Sequence, residues 1–212
     1  MLLDYIKGNY KEGEPIFVSD LIFDNFSKSA LTQRLNTLCK NGDINKYENG
    51  VYYIPKKSKL NIDIGLSADI VARYKYVDNG KSVNGYYSGN TFANQLGITT
   101  QVPRIIEIVS NNASAKYREI NISDRQFVLR NSPLLIDSNN VYVLQLLDLL
   151  KNIDFYIDGN FKDAKPKVYD YIKAHNITKD MVDFYIRDFP VSVFKNYYEL
   201  ELDNHFLCDK KY

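Results

Sequence analysis

The sequence predicts an α+β fold, and three observations carry that expectation. A leucine stripe at helical spacing follows a good N-cap, an Asn-Gly turn joins two short runs of strand character, and a group of short strands precedes a block of helices. Strands and helices are segregated rather than alternating, which argues against a parallel βαβ series.

Leu2, Leu3, Tyr5 and Ile6 predict a short first helix, and residues 8–15 a polar loop with Gly13 and Pro15 as breakers. Ile16, Phe17 and Val18 supply a short strand. Val18, Leu21 and Ile22 stand at helical spacing over residues 17–23, and residues 23–27 are short enough to be the turn of a helix-turn-helix. Ser27 caps a second helix over 28–41, with Leu31, Leu35 and Leu38 at i, i+4, i+7 and Gly42 as its stop. The opposite face carries Ser29, Gln33, Asn36 and Lys40, flanked by Lys28 and Thr37, and no carboxylate. Hydrogen-bonding side chains without acids suit base edges and phosphates. Residues 43–54 then form a hairpin around Glu48-Asn49-Gly50, because Asn-Gly is the strongest short hairpin signal. A hairpin directly after such a helix is a wing, so residues 1–59 read as a winged helix-turn-helix DNA-binding domain. Pro55 and the basic run Lys56-Lys57-Ser58-Lys59 mark the linker, as solvated connector or phosphate clamp.

Residues 60–212 form the second, mixed α+β domain. Ser67 opens a helix over 67–76, Asp78-Asn79-Gly80-Lys81 is a turn, and residues 90–96 make a short helix stopped by Gly97. Strands are expected at 104–109, 116–122, 127–129 and 134–136. Helices follow at 143–153, with Leu146, Leu149, Leu150 and Ile153 opposite a polar face of Gln145, Asp148 and Asn152, and at 167–175 after Asp163 and Pro166. Thr178 opens another, Pro190 ends it, and a last helix near 191–200 precedes a polar tail.

Composition narrows the function. With 45% hydrophobic and 25% charged residues in 212, disorder is excluded, and a net charge of +1 excludes a strong polyanion binder by charge alone. Through Leu60 there are nine basic and seven acidic residues, leaving 18 and 19 for the remainder, so DNA affinity rests on local placement and on pairing of two heads. The tyrosine-, asparagine-, lysine- and isoleucine-rich composition without Trp reflects an AT-rich genome. Cys39, Cys208, His175 and His205 have no metal-ligand spacing, so neither zinc nor any other cofactor is expected. Asp4 interrupts the apolar start a signal peptide needs, and no stretch approaches the roughly 20 apolar residues that span a bilayer. A reduced, cytoplasmic protein without membrane contact is expected.

No catalytic residues are expected. The Gly-rich residues 85–91 lack a P-loop lysine, and Asp154 with Asp158 or Glu199 with Glu201 suit a solvated face better than a metal. His175 sits at a helix end, where a cationic imidazole favours the dipole.

The segment Tyr87-Ser88-Gly89-Asn90-Thr91-Phe92-Ala93-Asn94-Gln95-Leu96-Gly97-Ile98-Thr99-Thr100-Gln101-Val102-Pro103 resembles the second domain of the AbiEi family of antitoxins. These are the antitoxin halves of bacterial type IV toxin-antitoxin, phage-defence abortive-infection operons, and a winged head ahead of this block is also that family's arrangement. Gly89, Gly97 and Pro103 also serve as turn, helix stop and loop end, and Thr99 to Gln101 satisfy backbone groups.

The resemblance implies a DNA-binding transcriptional repressor of its own operon, bound to an inverted repeat in double-stranded operator DNA. Its second domain would neutralise a nucleotidyltransferase-like toxin without requiring a stable complex. Contacts to DNA are assigned to Lys28, Ser29, Thr32, Gln33, Arg34 and Asn36 on the recognition helix and to Lys46 and Asn49 on the wing, Arg34 lying toward the buried side of the helical wheel. A monomer or weak dimer that binds cooperatively is expected. The alternative is a protein-interaction adaptor whose winged head does not touch DNA.

Overall fold

The computed structural model describes residues 2–23, 26–60 and 62–208, apart from the side chains of Leu207 and Cys208. It is an α+β protein that divides into two compact units, Met1–Tyr74 and Lys75–Tyr212. The division falls beyond the expected boundary at 59/60. Pairing of the basic run explains this: β4 (Lys56–Lys57) runs antiparallel to β5 (Asp63–Ile64), so the expected linker is instead one arm of a two-stranded ribbon.

In the first unit, α1 (Leu2–Asn9) buries Leu2 and Ile6. β1 (Pro15–Phe17), β2 (Asn45–Glu48) and β3 (Val51–Tyr53) form an antiparallel sheet in the order β1-β3-β2. Ile16 lies opposite Tyr52, which in turn faces Lys46, and a bulge separates Lys46 from Glu48 just before the turn. α2 (Lys28–Lys40) begins where the sequence predicts, with the Ser27 hydroxyl accepting from Ala30 N at 3.2 Å. It ends in a Schellman motif, Gly42 N donating to Cys39 O and Asp43 N to Leu38 O. Leu31, Leu35, Ile44 and Tyr52 join Leu2, Ile6, Ile16, Val18 and Leu21 in one core. α3 (Ala68–Ala72) is capped by Ser67 and followed by a π-helical turn at Arg73–Val77.

The helix expected over 17–23 is not formed. Val18–Asp20 is a single 3-10 turn and Leu21 is extended. Val18 and Leu21 reach the core from this shorter path because an i, i+3 pair is satisfied by one tight turn as well as by a helix. Asp24 and Asn25, in the expected turn 23–27, lie outside the described residues.

In the second unit, β6 (Gly85–Tyr87), β7 (Ile106–Ser110), β8 (Arg118–Ile122) and β9 (Arg125–Asn131) form a sheet in the order β6-β7-β9-β8. Only β7 and β9 run parallel. α4 (Gly89–Gln95) leaves β6 directly. Residues 134–136 are not a strand, because Asn111 takes both backbone groups of Ile136: Nδ2 donates to its O at 2.8 Å and Oδ1 accepts from its N at 3.0 Å.

The helical half comprises α5 (Val141–Leu150), α6 (Ile153–Tyr156), α7 (Phe161–Ala174), α8 (Lys179–Tyr185), α9 (Val191–Glu199) and α10 (Leu202–Cys208). α7 starts earlier than expected, at a capping box of Asn160 with Asp163. α10 replaces the expected polar tail, since Leu202 and Phe206 bury into the same core as Leu146, Leu150 and Val168. The central helix α5 is buried on nearly every side. Its expected solvent-facing Gln145 and Asp148 are only 8% and 5% exposed. Among the described residues no helix is long and apolar enough to cross a membrane.

Candidate nucleic-acid interface

α2 is 13 residues long, about 20 Å at 1.5 Å per residue, and can lie along a groove about 12 Å wide. Its leucines fix which face is outward. Leu31 and Leu35 are buried, and Lys28, Ser29, Gln33, Arg34, Asn36, Thr37 and Lys40 are exposed. Thr32 is half-buried and spends its hydroxyl on Lys28 O at 2.9 Å, as Thr37 does on Gln33 O at 3.1 Å. Ser29 and Gln33 make no side-chain hydrogen bond with a described residue, so their donors and acceptors face outward unspent.

Two side chains are held by the scaffold. The Tyr52 hydroxyl, on β3, donates to Asn36 Oδ1 at 3.3 Å, which aims the amide and leaves Nδ2 without a partner among the described residues. Arg34 is exposed rather than directed toward the core as the wheel suggested. Its guanidinium lies 4.0 Å over the Phe26 ring, and that stacking presents the charge at the surface while the stem packs. Across the turn, Lys46 Nζ donates to Asn49 Oδ1 at 2.8 Å, so the two expected wing residues form one exposed pair at the hairpin tip. The sequence contains both residues of each pair but no sign that Tyr52 reaches Asn36, sixteen positions away.

Charge follows the same division. Lys28, Arg34, Lys40 and Lys46 are exposed, and α2 contains no acid. Asp43 and Glu48 flank the hairpin half-buried. Cys39 lies half-buried on the inner flank, and burial pushes its thiol pKa up, against the smaller opposing pull of Lys46, which favours the protonated thiol. Among the described residues no group of three His, Cys, Asp or Glu side chains is placed to hold a metal.

The motif of residues 87–103 has clear local causes. Gly89 has φ +57, and a Cβ there would collide with the carboxylate of Glu107, whose Oε1 accepts from Asn90 N at 3.3 Å. The Thr99 hydroxyl donates to Asp158 Oδ1 at 2.8 Å, and Thr100 donates to Oδ2 from its backbone N at 2.5 Å and its hydroxyl at 2.8 Å. Those bonds, the backbone one foremost, hold the Asp158 carboxyl below its ordinary pKa. Asp158 therefore tethers a loop instead of joining Asp154 at a metal. His175 caps α7 but stacks on Tyr142 at 3.7 Å, and burial lowers its pKa. The neutral imidazole is favoured there, not the cation expected at a helix end.

A buried polar network lies beneath this motif, and the sequence pattern does not reveal it. Ser88, 1% exposed, donates to Asp148 Oδ2 and accepts from Arg130 Nη2, while Lys151 pairs with Asp148 Oδ1. Arg130 also stands 3.7 Å from Glu107. Gln145 donates to Tyr87 O at 2.8 Å and accepts from the Tyr171 hydroxyl at 2.8 Å. The one available signal was a carboxylate set among Leu146, Leu147, Leu149 and Leu150, where only a paired charge survives burial.

The fold and this surface define an α+β protein whose first unit presents an acid-free helix face and a hairpin tip with an exposed Lys46-Asn49 pair. No model of a known protein family matches the chain, and no curated protein matches it either.

Proposed function

We propose that this chain is a DNA-binding transcriptional autorepressor and antitoxin of a type IV toxin-antitoxin, abortive-infection operon. Its first unit acts as a winged head on double-stranded operator DNA, two heads on one inverted repeat. Its second unit counters a nucleotidyltransferase-like toxin in the cytoplasm. The observation that carries the DNA half is the exposed face of α2, where Ser29, Gln33 and Asn36 offer unspent hydrogen-bonding groups and Lys28, Arg34 and Lys40 stand beside them without a carboxylate. Gln33 and Asn36 are the residue types that read adenine N6 and N7 in the major groove. The antitoxin half rests on the likeness of residues 87–103 to the AbiEi family. Chemistry by the chain itself is not part of this reading.

Titration against its own upstream DNA tests the first half. Four phosphate contacts from Lys28, Arg34, Lys40 and Lys46 give a log-log salt slope of about −3.6 per head. Preference for the upstream repeat over a scrambled duplex supports the proposal. Equal, weak binding to both leaves the head to protein contacts, as an adaptor. For the second half, co-expression with a neighbouring nucleotidyltransferase-like gene restores growth if the antitoxin reading holds, and fails to if it does not.

A further inference from the structure

We propose that the cavity beside the Ser88-Asp148-Arg130 network binds a small organic anion, an aromatic ring carrying one carboxylate or phosphate group. The cavity measures about 580 Å³, within the range of small-molecule sites. One wall is apolar, built from Val109, Leu134, Leu144 and Phe189, which suits a ring. Tyr86, Arg130 and Lys151 are polar members of the same lining, and the two cations meet at Asp148.

Three features of the lining point to an anion. The lining holds three cations, Lys116, Arg130 and Lys151, against two carboxylates, Asp148 and Asp188, a surplus of one positive charge. Asp148 is buried and already engaged by Ser88, Arg130 and Lys151, so its charge is compensated within the network. Arg130 gives only Nη2 to protein acceptors, which leaves Nη1 without a partner among the described residues. Tyr86 adds a donor: it is 5% exposed, lines the cavity, and makes no hydrogen bond with a described residue. Burial first, and then the Asp148 carboxylate, raise the Tyr86 pKa, so the phenol keeps its proton. A phenol donor in a cavity lined also by an arginine, a lysine and apolar side chains matches a ring with one acidic head. This inference stands independently of the DNA reading, because every residue in it belongs to the second unit.

Isothermal titration of the full chain with indole-3-acetate and with adenosine monophosphate tests it, alongside the uncharged indole-3-acetamide and adenosine. At least one anion binds with a Kd below about 1 mM, and its neutral counterpart binds at least about tenfold more weakly. Binding of indole-3-acetate alone assigns the site to carboxylates, binding of the nucleotide alone to phosphates, and either supports the inference. Tyr86→Phe weakens the anion about tenfold at an unchanged melting temperature. Should Tyr86→Phe melt early, Lys116→Ala at the exposed rim decides, with a loss of about threefold expected. Failure of both anions to bind, equal binding of the neutral compounds, or unchanged affinity in whichever variant folds overturns the inference.

Discussion

Gly85→Ala is the perturbation whose cost the structure sets most directly. Gly85 opens β6 opposite Ser110 of β7, and a Cβ there would lie within 3.0 Å of two backbone oxygens, those of Tyr76 and Val109, and 3.0 Å from Ser110 Cβ. None of these atoms is the end of a flexible side chain. Relief requires β6 to move off β7, at about 1–3 kcal/mol for overpacking. The same shift strains the hydrogen bond from Ser110 Oγ to Asn84 O and the adjoining ladder, at about 0.5–1.5 kcal/mol per bond. Together the cost is about 2–5 kcal/mol. Gly97→Ala is the control. Its Cβ would meet only Lys167 Nζ at 3.9 Å, so the substitution carries just the left-handed strain of φ +70, about 1–2 kcal/mol. Urea unfolding followed by far-UV circular dichroism should rank Gly85→Ala below Gly97→Ala. Equal midpoints for the two variants would refute the close-approach argument.

Gln33→Ala should relax operator preference by about 1–3 kcal/mol at one base position, while Lys28→Ala weakens all sequences alike, read by competition titrations with single-base operator variants. Equal losses on specific and scrambled DNA for both would remove that division of labour. Tyr52→Phe removes the donor that aims Asn36, so it should cost about 0.5–1.5 kcal/mol in urea unfolding and reduce discrimination more than non-specific binding. Unchanged discrimination would show that the Asn36 amide needs no anchor. For His175, burial sets the folded pKa below the ordinary 6.5, so the unfolded chain binds the proton first. Its contribution to stability is therefore present above about pH 6.5 and is lost as pH falls below that. His175→Gln should flatten the decline in urea midpoint between pH 7.5 and pH 5 (about the range where imidazole titrates), and an unaltered decline would contradict the assignment.

What the sequence disclosed and what it concealed divide by the range of the interaction. α2 and the hairpin were legible because Ser27, the leucine stripe, Gly42 and Asn49-Gly50 act within a few residues of themselves. The helix expected over 17–23 failed because Val18 and Leu21 alone cannot distinguish one 3-10 turn from a longer helix. The strand expected at 134–136 failed because Asn111, twenty-five residues upstream, supplies the bonds a neighbouring strand would have supplied. α5 misled for a related reason. Gln145 and Asp148 look like a polar face, yet Tyr87, Tyr171, Ser88, Arg130 and Lys151 satisfy them inside the fold. The outward residues of the candidate interface were readable for the same local reason as α2, whereas the anchors behind Asn36 and Arg34 came from Tyr52 and Phe26, outside the helical pattern.

Entry of the outward face of α2 and the hairpin tip into a DNA groove is tested most directly by NMR. The measurement is the change in backbone and side-chain amide shifts of the full chain on adding its own upstream repeat. The largest changes are expected at Ser29, Gln33, Asn36, Lys46 and Asn49, including the Gln33 and Asn36 side-chain amides, with residues of the second unit's core unmoved. Shifts concentrated elsewhere in the first unit, with α2 and the Asn49 turn unchanged at saturating DNA, would contradict groove binding by this face.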